Sequence, residues 1–353
     1  MLTDGQVAAL AHVRAAGVRA QDAAVARIGD VADVDAICKL IRQHGRVTLN
    51  FHPDRLLADR RTVAAALARD GIYRGQFETQ ISNGSRTAFA GGDRDQWEHT
   101  LFGAAYHHVA VVAADRPKYG SLNLLNHPDG GAPRFGSCHV RLRPSVNDRT
   151  TFTFGDSHLG PADIGTIDAF TPVLAALLET ARDSGTALGV PVDDLARRLR
   201  DLAAQPVGAD PAMPASRALD DYVEAQVHGV IDLTADAEAI VVDPSFHGTL
   251  TGDLLHETAT HAGIALEWHC GFEIAVADVP ADFRVPEMPE FAREVCDRLE
   301  TPGRYDAAVV GRAAASVVRD PDGWANWGTQ DEVLQLVKYL WHILVAFGVR
   351  HSV

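Results

Sequence analysis

Arg46–His52, RVTLNFH, alternates without a break. Val47, Leu49 and Phe51 fall on one face, and Arg46, Thr48, Asn50 and His52 on the other. A period of two over seven residues predicts a half-buried strand. Pro53 closes it, because proline has no N–H to give to a ladder. His52 is thereby set at the strand's end on the polar face. Before this stretch, apolar residues recur at helical spacing through VAALAHVRAAGVRAQDAAVARI and VDAICKLI, which predicts helices over 6–43.

After it comes an Ala-rich helix over 58–70 that Gly71 closes. Then follows Asp70–Gly84, DGIYRGQFETQISNG. That segment carries more aromatics than a solvated loop. It also carries more hydrogen-bonding groups than a core strand, where each unpaired group costs about 1–3 kcal/mol. Such a stretch is best explained as the wall of a ligand pocket. An amphipathic helix is expected over about 94–112, a loop entering a strand at RPKYGSLNLLN, and strands at RFGSCHVRLR and TFTF. Beyond Pro161 the spacing predicts helices at 164–183 and 191–204, and QPVGADPAMPAS (205–216) reads as a linker. Strands at 225–233, 264–269 and 273–279 and helices at 250–262, 287–299, 303–318 and 329–347 follow. In the last helix, Val333, Leu336, Val337, Leu340, Ile343 and Leu344 form a core-facing stripe.

These elements predict an α+β protein. Its parts are a helical N-terminal cover (1–44), a site-bearing domain with a mainly antiparallel sheet (45–204), and an acidic α/β C-terminal domain (217–353). The 353 residues suffice for a substantial core. Residues 1–160 carry a net charge of +3 and the remainder −18. Nucleic acid is therefore not a favoured partner, and an anionic ligand is better tolerated in the first half. No apolar run reaches the roughly 18–20 residues of a membrane span, and the N-terminus lacks the pattern of a signal peptide. Cys38, Cys138, Cys270 and Cys296 have no CxxC spacing and read as free thiols of a cytoplasmic protein.

Chemistry-bearing residues collect between 46 and 158. One reading is a site that consumes NAD as a substrate. Breaking the nicotinamide–ribose bond develops positive charge on the sugar, which a carboxylate would stabilise. Asp156, Glu78 and Tyr119 are the candidate catalytic groups, with Asp156 as the carboxylate and Tyr119 as a stacking ring. His52, Arg74, Gly75, Gln76, Thr79, Ser82, Asn83 and Ser121 are the candidate dinucleotide-binding groups, and Gly75 lets a phosphate approach the backbone closely. A second reading is a metal-dependent hydrolase using His52, Asp54, Asp156 and His158, although no HExxH motif is present. His107 and His108 are adjacent and cannot share one metal from a helix. A third is a non-catalytic binding module. The absence of GxGxxG, GxxxxGK[ST] and GxSxG argues against dehydrogenase, P-loop and α/β-hydrolase chemistry. Each nominated residue also has a purely structural reading, such as an Arg74–Glu78 ion pair or a turn Asp at 156.

The motifs YRGQFETQISNG, RPKYGSLNL, PRFGSCHVRLRP, RTTFTFGDSH and GRAAASVVRDPDGWANWG together resemble an uncharacterised, mainly actinobacterial family classed as a domain of unknown function. At the level of short motifs the chain is also similar to ADP-ribosyltransferases. His52, Tyr119 and Asp156 follow the order of the His-Tyr-acid kind. Arg74, Ser121 and Asp156 follow that of the Arg-Ser-Glu kind. His52 precedes proline instead of glycine, and the acid is a single Asp without an ExE pair. That similarity implies ADP-ribosyl transfer from NAD to an acceptor, or NAD glycohydrolysis, with no metal.

Overall fold

The computed structural model describes residues 1–29, 33–81, 88–208, 215–301 and 303–351. RVTLNFH forms the strand β1 (Val47–Phe51), near the middle of one eight-stranded sheet. The others in chain order are β2 (Lys118–Leu122), β3 (Cys138–Leu142), β4 (Thr150–Phe154), β5 (Ile164–Thr166), β6 (Val223–Val227), β7 (Ala237–Val242) and β8 (Ala265–Trp268). They lie side by side as β8-β7-β3-β1-β2-β6-β4-β5. Every pairing is antiparallel except β7 with β8. The fold is thus α+β with a mainly antiparallel sheet, as the alternation predicts.

Four expectations need correction. The boundary at 205–216 does not separate two independent domains. β6 comes from beyond it yet hydrogen-bonds to both β2 and β4, and β7 pairs with β3. β1 is not half-buried, since all five of its residues are buried. Its polar face is covered by the 128–136 loop: the Gly131 N–H donates to Thr48 Oγ1 at 3.0 Å, and Asn50 Nδ2 donates to the carbonyls of Asp129 and Gly136. Gly136 permits that approach, because a Cβ there would lie 2.1 Å from the Phe51 carbonyl carbon. The helix expected over 94–112 ends at Leu101. Gly103 and Ala104, with φ of 58° and 64°, turn the chain left-handed. Likewise Ile164–Thr166 is a strand, and its helix begins only at Thr171.

The expected helices otherwise appear with small shifts at their ends. The N-terminal segment forms α1 (Asp4–Ile28) and α2 (Val34–His44). Thr3 and Gln6 cap α1 reciprocally. Arg14 and Arg27 of α1 pair with Asp168 and Asp163. Helix α3 (Val63–Asp70) is closed by Gly71 at φ 63°. The C-terminal helix α4 (Gln330–Phe347) buries Val333, Val337, Leu340, Ile343 and Leu344, while Leu336 is only partly covered. One continuous core runs from Ala24 and Ile28 of α1 to α4. All four cysteines are free, and three are buried. No helix among the described residues is long and apolar enough to cross a membrane.

Candidate active site

The polar end of β1 opens onto two adjoining cavities of about 120 and 100 Å³. Asn50, Tyr73, Arg74, Gln76 and Phe135 line both and form the wall between them. Tyr73, Arg74 and Gln76, from the stretch singled out in the sequence, supply three of these five residues. The wall is held by a short turn, Gln76–Thr79. Glu78 Oε2 accepts from the Gly75 N–H at 2.9 Å and lies 3.5 Å from Lys118 Nζ, and Thr79 Oγ1 donates to the Gly75 carbonyl. Below the turn, Arg116 stacks over Phe77 and pairs with Asp95 and Glu98. Arg116 is therefore spent on anchoring the wall.

The smaller cavity is an acidic cleft. Arg74, Gly75, Gln76, Tyr119, Ser121 and Asp156, all nominated from sequence, line it. Arg74 pairs with Asp70 at 2.6 Å and not with Glu78. Ser121 Oγ is 3.1 Å from Thr48 Oγ1. The Tyr119 hydroxyl donates to Glu98 Oε1 at 2.8 Å, and the Arg94 guanidinium covers a face of its ring at 4.4 Å. That face is occupied, so Tyr119 supports Arg94. Arg94 makes no ion pair among the described residues; it lies over the Trp97 and Tyr119 rings and lines the cleft.

Glu224 is the residue the sequence reading misses. It sits in β6, opposite Ser121 of β2 and Thr153 of β4. Only 5% exposed, it faces the same cleft as Asp156. Burial pushes its carboxyl up to about 7, and the Asp156 charge adds to this. Hydrogen bonds from the Ser157 N–H and the Gln226 amide pull the other way. Burial also raises Asp156, but the hydrogen bonds from the His158 ring and backbone outweigh it, so the net shift is downward. Two carboxyls in one cleft thus differ in their readiness to ionise, the arrangement that separates acid and base roles.

Behind Glu224 runs a buried chain of hydrogen bonds. Gln226 Nε2 donates to Glu224 Oε1 at 2.8 Å, and Gln226 Oε1 accepts from Thr151 Oγ1 at 2.7 Å. Thr151 Oγ1 is 3.1 Å from His228 Nε2, and His228 Nδ1 meets the Tyr106 hydroxyl. Burial drives His228 down to about 3, so it stays neutral and relays no charge. The chain fixes the carboxylate's orientation from along the same face of the sheet, because Glu224, Gln226 and His228 alternate in step on one strand.

His52 and Thr79 line the larger cavity, with Arg55. His52 is 6% exposed and packs edge-on against Trp341 at 5.2 Å. Burial and the nearby Arg55 lower its pKa well below the ordinary value. Glu78 lines neither cavity, and Ser82 and Asn83 lie outside the described residues. The metal-hydrolase set is not assembled: Asp156 and His158 pair with each other, whereas His52 belongs to the other cavity. No group of three or more His, Cys, Asp or Glu side chains positioned to hold a metal occurs among the described residues. His107 is not helical and instead pairs with Asp95 at 3.1 Å.

An α+β fold with a mainly antiparallel sheet and two adjoining chambers at the end of β1, one apolar and one polar, therefore defines the molecule. The family model described as a protein of unknown function (DUF3626) matches residues 46–347, and the chain belongs to that family. The match begins one residue before β1 and ends at the last residue of α4, so it contains both cavities. A comparison with curated proteins finds no match.

Proposed function

We propose that the acidic cleft cleaves the nicotinamide–ribose bond of NAD and passes the ADP-ribosyl group to an acceptor nucleophile or to water. The observation that supports this most directly is the pair Asp156 and Glu224, two carboxyls of opposed pKa shift in a cleft that also presents Arg94 and Arg74. The arginines suit an anionic diphosphate. Asp156, ionised, faces the carbon that becomes cationic.

In the reaction the C1′–N bond breaks and its electron pair leaves with nicotinamide, which departs neutral and needs no proton. Positive charge is shared between C1′ and the ring oxygen, where Asp156 stabilises it. The oxygen or nitrogen of the acceptor then bonds to C1′, and Glu224 takes its proton. A base with a pKa near 7 is matched to that task at neutral pH. Tyr119 holds Arg94, and Gln226 holds Glu224.

Incubation with NAD tests this. Saturating NAD raises the melting temperature by mass action, and chromatography detects released nicotinamide. Asp156→Ala slows the release by about a hundredfold. Failure of millimolar NAD either to bind or to react ends the proposal.

A further inference from the structure

The larger cavity has a different chemistry from the cleft, and the mechanism above does not use it. Its walls are apolar: Phe51, Val63, Ala66, Leu67 and Ile72 line it. Yet His52, more than nine-tenths buried, makes no hydrogen bond among the described residues. Gln76 Oε1 is buried and has no partner either. Arg55 lines the same cavity and makes no ion pair among the described residues. Unpaired buried polar groups are costly and call for a partner. An alkyl chain would fit the walls and leave His52 and Gln76 unpaired. A sugar would pair them and waste the walls. A flat heterocycle with apolar faces and a hydrogen-bonding edge satisfies both.

We propose that this cavity is a purine subsite. The base lies between the aliphatic walls, its exocyclic amine donates to Gln76 Oε1, and a ring nitrogen accepts from the His52 N–H. Arg55 and Arg74 then face the attached phosphate, and the shared wall leads the rest of the ligand into the acidic cleft. The subsite rests on the NAD reading and assigns the adenine half of that substrate to a specific chamber.

Titration calorimetry with AMP, alongside nicotinamide release from NAD, tests it. AMP binds the wild-type chain. Ala66→Phe, which fills the cavity, and Gln76→Leu, which removes the acceptor, each weaken AMP at least tenfold. Melting curves establish that both variants fold. Unchanged AMP affinity in the folded variants overturns the subsite. Nicotinamide release by a wild-type chain that does not bind AMP also overturns it and leaves the proposed reaction standing. AMP binding that both variants weaken, without nicotinamide release, supports the subsite and removes the reaction.

Discussion

The two chambers share a wall, but the chain builds them in different ways. Apart from Phe135, the described residues lining the apolar cavity come from one stretch, 50–81. The acidic cleft takes Asn50 from β1, Tyr119 to Ser121 from β2, Asp156 from the end of β4 and Glu224 from β6. A local chamber is positioned by turns and one helix, α3. A long-range chamber is positioned by strand register, so its groups are held by the sheet itself. Carboxyls whose states must differ gain from that rigidity, because a small displacement would change their mutual repulsion.

The comparison is broken most severely at Glu224. If it is the general base, Glu224→Gln lowers the rate of ADP-ribosyl transfer by about a thousandfold with little change in NAD affinity; equal loss of affinity would make it a binding group. Asp156→Asn follows at about a hundredfold in steady-state kinetics, through loss of charge facing C1′.

Gln226→Leu has a smaller effect, about tenfold, and a distinct signature. The amide stabilises the ionised carboxylate, so removing it raises the pKa of Glu224. The rise of rate with pH then moves to more alkaline values, which a rate profile detects.

The smallest effect is on stability. The folded chain holds a proton on Glu224 that the unfolded chain, with its ordinary value of 4.5, has released. Stability contributed by that proton is present below 4.5 and is lost as pH rises to about 7. Glu224→Gln therefore raises Tm by about 3 °C at pH 8 and by less at pH 5, as calorimetry would show. A lower Tm at both would mean that the carboxylate is structurally required.

The same contrast explains what the sequence disclosed. β1 and the Arg74–Gln76 wall were legible, because alternation and a dense run of polar groups are local signals. Glu224 was not: VEAQV shows no motif, and its chemistry arises only when β6 enters between β2 and β4. β7 was missed for a related reason. AEAIVV is buried on both sides of the sheet for most of its length and so lacks alternation. Glu78 stands out as an acid in the same polar run as Arg74, but a carboxylate three residues after Gly75 folds back to cap its own turn. The linker-like composition of 205–216, of which 209–214 lie outside the described residues, carries no record of strand order: β6, from beyond it, pairs with β2 and β4.

Glu224 and Asp156 acting together in the cleft is the central claim. The most direct measurement is the pH–rate profile of ADP-ribosyl transfer, the step in which Glu224 takes the acceptor's proton, for the wild-type chain and Glu224→Gln. The wild-type rate should rise with unit slope through an apparent pKa near 7. The variant should be slow and flat across that range. A variant that keeps the wild-type rate and its inflection would contradict the account.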